Sequence, residues 1–376
     1  MSEEIDSSKH FCYLCGEEIT EANKSEEHII LNALGGRLKS LKLLCKKCNS
    51  NLGDKEDAAL AKQMEFFATH LNIKRERGNL QHIEMTKEGS GEKYLVSSDG
   101  VPFLKHPLVE KKENEGKLEF KIRANNEKEA LEILTNLQRK YPKTNFEQCK
   151  SAIKKVKERL DAPLHIQLCF GGMDAMLSIL KTAVNFYIDR SGDIDSVKLA
   201  IDDLKKKETD RVEQFLEKSH PLFETSDQEI LHSIFINGSK EKNKLYAFVE
   251  FFSALQFIVK LSDDYKGEDI QYLYVYDVLN TKEILKEIKN IPAFDFIFDY
   301  KYSPKFDFQG LQQKITRVLQ IGAKRQNDNR ISDIINQSIK AAWGEPDGRV
   351  LKEEDANALV NELMKRITPL IVGGTV

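Results

Sequence analysis

Two cysteine pairs, Cys12-x-x-Cys15 and Cys45-x-x-Cys48, enclose one histidine at position 28. No other feature constrains the chain so tightly. Each Cys-x-x-Cys folds as a tight turn that points two sulfurs the same way. Two such knuckles complete a tetrahedron around zinc at about 2.3 Å per bond. The spacing C-x2-C-x29-C-x2-C therefore predicts a four-thiolate zinc site built from Cys12, Cys15, Cys45 and Cys48. Four sulfurs leave the metal no open position, so this zinc is structural. It stabilises a segment with little core of its own and activates no water. A redox dithiol is the alternative reading. Zinc alone does not make an enzyme, because most knuckles scaffold or bind.

With 376 residues, 40% of them apolar and 31% charged, the chain is long enough for two or three domains with real cores. Its net charge of -3 gives the whole molecule no electrostatic footprint for nucleic acid, so any such footprint must be local. The polar, acidic start MSEEIDSSKH carries no secretion signal, and a cytoplasmic location is expected. In a reducing compartment paired cysteines read as metal ligands rather than disulfides. Cys149 and Cys169 read as small buried hydrophobes. The longest apolar run, 245–261, contains Glu250, Ser253 and Gln256 and is rich in aromatic and β-branched residues. It reads as buried strand, not as a membrane span.

Between the cysteine pairs lie Glu27-His28-Ile29, then Gly35-Gly36, then Ser40, and Asn49 follows Cys48 directly. Over residues 10–60, this order resembles the HNH endonucleases of the ββα-metal (His-Me finger) type, in their zinc-stabilised form. The order is acid-His-aliphatic, Gly-Gly, a leucine-rich strand into Cys-x-x-Cys, then Asn. The resemblance implies that His28 is the general base, since a neutral imidazole can take a proton from water near pH 7. It implies that Glu27 and Asn49 hold a catalytic divalent cation, Mg2+ or Mn2+, which stabilises the leaving oxygen and the developing charge. Hard cations take oxygen ligands and keep several waters, so two protein oxygens suffice. Ser40 stands where the family usually has Asn and is expected to brace the loop. Glu27 stands where Asp is commoner, and Asn32 where relatives often have Pro. Blander readings exist for each: a structural His28, Glu26 in place of Glu27, and Asn49 as a helix cap. Asp54 and Asp57 read as acids at the start of the following helix, outside the site.

Basic residues gather at the motif: Arg37, Lys39, Lys42, Lys46 and Lys47, with Lys74, Arg75 and Arg77 further on, and no acid lies in 28–53. Contacts from such side chains to phosphates would position nucleic acid without reading its sequence. A solvated face is the competing reading.

The rest of the chain carries no comparable motif. A helix is expected over 56–72, several strands over 80–125, with KLEFKIRA (117–124) the clearest, and a helix capped by Asn126. A second helix, EQCKSAIKKVKERL, a strand HIQLCF and a helix over 173–188 should follow. The last is apolar almost all round and therefore buried. Its Lys181 and Asn185 read as a snorkelling lysine and a satisfied core asparagine, the alternative being polar contacts to a ligand. Residues 190–228 read as surface helices, 229–278 as an antiparallel meander, and 308–370 as helical. In that last part Lys314, Arg317, Lys324, Arg325 and Arg330 face either DNA or solvent.

The expected fold class is α+β: a small N-terminal zinc-bound ββα-metal head, residues 1–75, and a larger α+β body, residues 76–376, with an antiparallel sheet, a helical C-terminus and a subdivision near 225. The expected function is a metal-dependent HNH endonuclease hydrolysing phosphodiester bonds in DNA, as a bacterial restriction or anti-phage effector controlled by its body. A non-catalytic zinc-knuckle module that binds nucleic acid or assembles is the alternative. The residues leave open RNA as substrate, a regulatory ligand or protein partner for the body, and homo-oligomerisation. No membrane partner is expected.

Overall fold

The computed structural model describes residues 9–114, 117–142, 145–156, 160–215, 221–298, 307–344, 348 and 350–371. It is α+β throughout. The chain divides into two compact units, one formed by residues 1–81 with 168–323 and the other by 82–167 with 324–376.

In the first unit the cysteine-bearing segment is folded from very short pieces. His10–Phe11 pairs with Glu18–Ile19, and Glu27–His28 pairs with Lys39–Ser40, both antiparallel. The helix Lys46–Leu52 follows, then one wider π turn over Gly53–Asp57, then the helix Ala58–His70. The helix expected over 56–72 is therefore present, but the π turn sets its first residues apart from the knuckle helix. This wider turn is frequent at functional positions. Gly36 is required where it stands, because a Cβ there would lie 2.0 Å from the Ile30 carbonyl oxygen. Gly35 sits at φ +88°, a left-handed conformation that costs glycine nothing. The glycine pair thus lets the loop fold back onto the histidine strand.

The same unit holds a six-stranded antiparallel sheet. Its order is Val212–Phe215, Leu255–Ser262, Lys244–Phe251, Leu231–Ser239, Ile270–Asp277, Lys282–Glu283. Three consecutive strands form the expected meander. Ile270–Asp277 departs from it by returning to the far side of Leu231–Ser239. The apolar run 245–261 is two strands, parted by a turn with Phe252 and Ser253 at positive φ. Leu231 holds that turn through both backbone groups, donating to Ser253 Oγ and accepting from Ser253 N at 2.8 Å each. Both faces are covered. On one, Phe215, Phe235, Tyr246, Phe248 and Ile258 form a separate apolar cluster. On the other, the sheet packs with the helix Met173–Ser191 and the cysteine segment in one larger core.

The second unit contains a four-stranded sheet in the order Leu164–His165, Ile83–Lys87, Lys93–Val96, Pro102–Leu104, and a ribbon of Leu108–Asn114 with Lys117–Arg123. Its helices include Glu127–Lys140, with Asn126 accepting from Glu129 N as the expected cap, and Glu353–Ile371. Several expectations change. The helix at 147–160 stops at Ser151, and residues 157–159 lie outside the described ones. Only Leu164–His165 of the next segment pairs as strand. Residues 212–215, expected to be helical, add an edge strand to the six-stranded sheet. The C-terminal pattern 308–343 is one helix of 36 residues. Cys149 is only partly buried and Cys169 is exposed, so neither is a core residue. Among the described residues no helix is long and apolar enough to cross a membrane.

Candidate active site

The four cysteines come together. Their sulfurs all lie within 4.8 Å of one another, and the Cys15 and Cys45 sulfurs are 3.8 Å apart. A tetrahedron with bonds of about 2.3 Å has edges of about 3.8 Å, so the cluster fits zinc. Local backbone bonds set it. Gly16 at φ +76° donates to the Cys12 carbonyl at 2.8 Å, which closes the first knuckle. The second knuckle sits at the start of the helix Lys46–Leu52, where Asn49 N donates to the Cys45 carbonyl at 3.0 Å. Tyr13 N donates to Leu43 O at 3.2 Å, tying the first knuckle to the segment that leads into the second, and Lys46 N donates to Asn23 O at 2.7 Å, tying the second knuckle to the turn before the histidine strand. Burial, and then hydrogen bonds among the sulfurs, push the Cys48 thiol well above its ordinary range. Sulfurs this crowded carry thiolate charge only with a cation among them. Among the described residues this is the one group of three or more His, Cys, Asp or Glu side chains placed to hold a metal.

The zinc segment holds the hairpin that carries the histidine. Its register pairs Glu27 with Ser40 and His28 with Lys39. Successive side chains of a strand point to opposite faces, so the two pairs part company.

Glu27 and Ser40 are buried. Glu27 is 1% exposed, and its Oε1 lies 2.7 Å from Lys181 Nζ and accepts from Asn185 Nδ2 at 2.9 Å. Lys181 Nζ also lies 2.5 Å from Asp57 Oδ2, whose Oδ1 accepts from Ser178 Oγ at 2.7 Å. Tyr13 OH donates to Asn185 Oδ1 at 2.7 Å. Two carboxylates therefore share one ammonium in the core. Burial raises the Glu27 pKa above its usual value, Lys181 opposes this, and Asp57 adds to it. Burial alone would lower Lys181, but Glu27 and Asp57 outweigh it and hold the ammonium charged. Lys181 thus does not snorkel; at 1% exposure it is a buried ion-pair partner. Asn185 is a satisfied core asparagine, as expected. Asp57 is drawn inward by the π turn instead of serving a helix end.

His28 is on the other face. Its Nε2 lies 2.9 Å from Glu76 Oε2, and that same oxygen is 2.8 Å from Lys39 Nζ. Arg37 is 3.5 Å from Glu76 Oε1. Burial lowers the His28 pKa below its ordinary value. Lys39, Arg77 and Arg37 add to this, and Glu26 opposes it, as a carboxylate as close as Glu76 does on general grounds. Asn49 is partly buried and donates from Nδ2 to Ser25 Oγ at 2.9 Å, which leaves its Oδ1 for another partner. Ser40 Oγ accepts from Lys42 N at 3.4 Å, a weak brace of the loop.

A divalent cation requires converging oxygens. Asn49 Oδ1 is of the right kind, but Glu27 Oε1 already serves an ammonium and an amide. With that oxygen so engaged, the expected pair does not fit such a cation in this geometry.

Of the basic residues, Lys42, Lys46 and Lys47 are exposed beside the second knuckle. Arg37 and Lys39 are only partly exposed and are engaged within the fold: Arg37 donates to Lys74 O at 3.0 Å, and Lys39 pairs with Glu26 and Glu76. Further along the chain, Arg317 likewise spends its guanidinium on the Ser226 and Glu229 carbonyls. Glu76, Asp57 and Ser25 are the contributors that sequence reasoning passed over. Asp57 and Ser25 had no pattern to betray them. Glu76 had one faint mark, as the lone acid within a basic run, KRER.

Residues 12–65 match the family model of HNH endonucleases. No curated protein and no solved structure matches the chain. The matched segment takes in both knuckles, the Glu27–His28 hairpin and Asn49, so this part of the chain is an HNH-type segment with a four-cysteine cluster suited to structural zinc.

Proposed function

We propose that the chain is an endonuclease that hydrolyses phosphodiester bonds in DNA. The observation that carries this is the match of residues 12–65, read together with His28 standing on the hairpin that the cysteine cluster holds in place. In this reading His28 takes a proton from water, and the water oxygen bonds to phosphorus. The phosphorus–oxygen bond to the leaving 3′-oxygen breaks, that oxygen leaves with a proton from solvent, and His28 returns its proton to solvent. A low His28 pKa suits the role, because the imidazole is then neutral and basic at neutral pH. Lys42, Lys46 and Lys47 supply positive charge for the backbone on the exposed side. A divalent cation, Mg2+ or Mn2+, stabilises the developing charge in chemistry of this class. Asn49 Oδ1 would be its protein ligand, and Glu27 would join only by releasing Lys181.

That lysine belongs to the helix Met173–Ser191, outside the matched segment. This supports control of the head by the rest of the chain. A restriction or anti-phage role is the setting carried over from the resemblance.

The test is plasmid cleavage by wild type and His28→Ala in Mg2+, in Mn2+ and with chelator, beside zinc content. Cutting by wild type alone at equal zinc is expected. Equal cutting by His28→Ala would sink the assigned chemistry. The burial of Glu27 favours one rival, a zinc-knuckle module that binds DNA without cutting. DNA retardation without cleavage under every metal condition would decide for it.

A further inference from the structure

Glu76 lies in the irregular stretch after the helix Ala58–His70, outside the matched residues, yet it makes the one hydrogen bond that reaches the His28 ring from a described residue. We propose that Glu76 is a positioning residue that fixes His28 as its Nε2–H tautomer and makes Nδ1 the atom that takes the proton from water. This rests on the nuclease reading above.

A carboxylate only accepts, so the 2.9 Å contact places the hydrogen on His28 Nε2. The lone pair is then on Nδ1, which bonds to no described residue. This is the arrangement by which a carboxylate sets the tautomer and orientation of a working imidazole.

Glu76 is itself held. Its backbone N–H donates to Asn32 Oδ1 at 2.9 Å, and Asn32 Nδ2 donates to Arg77 O at 3.0 Å. Arg37 NH2 donates to Lys74 O at 3.0 Å. Three residues of the stretch 74–77 are thereby tied to the loop between the two hairpin strands. Lys39 and Arg37 balance the carboxylate charge. Asn32 and Arg37, whose places in the sequence suggest a loop departure and a phosphate contact, acquire a shared purpose as anchors of Glu76.

The same contacts admit one rival: a carboxylate plugging a cationic site meant for phosphate. A plug must leave before substrate binds, and the anchor on the Glu76 N–H, with those on the flanking Lys74 and Arg77 carbonyls, opposes that. The brace leaves Nδ1 available while Glu76 stays in place.

The full-length protein, labelled with 15N histidine, reports the tautomer of His28 directly, with the signal assigned by its loss in His28→Gln. The Nε2–H form is expected in wild type, and the Nδ1–H form would overturn the assignment whatever the activity. Glu76→Ala should give a mixture of tautomers and cut plasmid roughly 10- to 100-fold more slowly, an effect on kcat rather than KM. Glu76→Gln, which still offers an acceptor oxygen, should recover part of the rate and the single tautomer. Faster cutting by Glu76→Ala would identify a plug and overturn the brace, and so would unchanged cutting with an unchanged tautomer. A wild type that never cuts but shows the Nε2–H form sinks the nuclease reading and leaves the tautomer assignment standing.

Discussion

The two faces of one short hairpin are held by different physics. Glu27 and Ser40 face a core in which an ammonium, two carboxylates, an amide and a phenol satisfy one another out of water. His28 and Lys39 face a cluster tied together by a partly exposed carboxylate. Position along the strand differs by one residue, and the pleat does the rest. The buried face joins the cysteine segment to the helix Met173–Ser191. The other face keeps a histidine nitrogen that bonds to no described residue. One strand thus serves as an attachment on one side and as a candidate reactive surface on the other.

Removing the zinc tests whether both faces depend on the knuckles. Structural zinc contributes about 10–16 kcal/mol of apparent binding free energy in small metal-folded segments. Chelation, or Cys45→Ser, should therefore cost the hairpin its fold, release about one zinc per chain and abolish cleavage. One face of the six-stranded sheet has its own apolar cluster and the helix Met173–Ser191 packs on the other, so the sheet should keep its circular-dichroism signal. Loss of both together would mean that the sheet depends on the metal.

Lys181→Met breaks the buried face alone. It leaves Glu27 and Asp57 without their cation, and stripping one partner from a buried pair costs about 3–5 kcal/mol. Urea denaturation should show that loss, and Glu27→Gln with Asp57→Asn in the Lys181→Met background should restore a large part of it. An exposed, unimportant lysine would show under about 1 kcal/mol.

Acid tests a third junction. His232 of the sheet is fully buried. Its Nε2–H donates to Leu34 O at 2.9 Å, and its Nδ1 accepts from Phe252 N at 3.2 Å. Burial lowers its pKa to about 4, with the Leu34 bond opposing. A histidine lowered on folding is protonated more readily when unfolded, so its stabilising share is complete above the unfolded value of about 6.5 and declines as pH falls towards 4. From this group alone, stability at pH 5 should be lower than at pH 7.5 by about 2 kcal/mol. Denaturation series at the two pH values, in wild type and in His232→Gln, would check it. An identical pH slope in both would remove His232 as the cause.

The smallest effect is expected from Ser40→Ala. Its hydroxyl makes one long bond to Lys42 N, so the loss should stay under about 1 kcal/mol, with cleavage little changed. A large loss of activity would give Ser40 a closer part in the site.

Several of these residues were readable in the chain and several were not. The cysteine pairs are legible because a four-sulfur site needs two knuckles, and knuckles have a fixed spacing. Asn126 was legible as a cap, and the helix over 173–188 as buried, because capping and apolar periodicity are local. The turn at Phe252-Ser253 was not, since neither residue favours positive φ. It is held there by Leu231, more than 20 residues away. The edge strand Val212–Phe215 likewise answers to a partner strand distant in sequence.

By itself the sequence determined a zinc knuckle pair, an HNH-type segment with His28 and Asn49 in it, and an α+β chain. These follow from short-range chemistry: thiolate spacing, strand alternation and helix periodicity. Only the tertiary structure decided that Glu27 faces Lys181 and Asn185, that Asp57 completes that ion cluster, and that Glu76 holds His28. A charge finds its partner through space, and these partners stand 48 to 158 residues from the hairpin residues they hold.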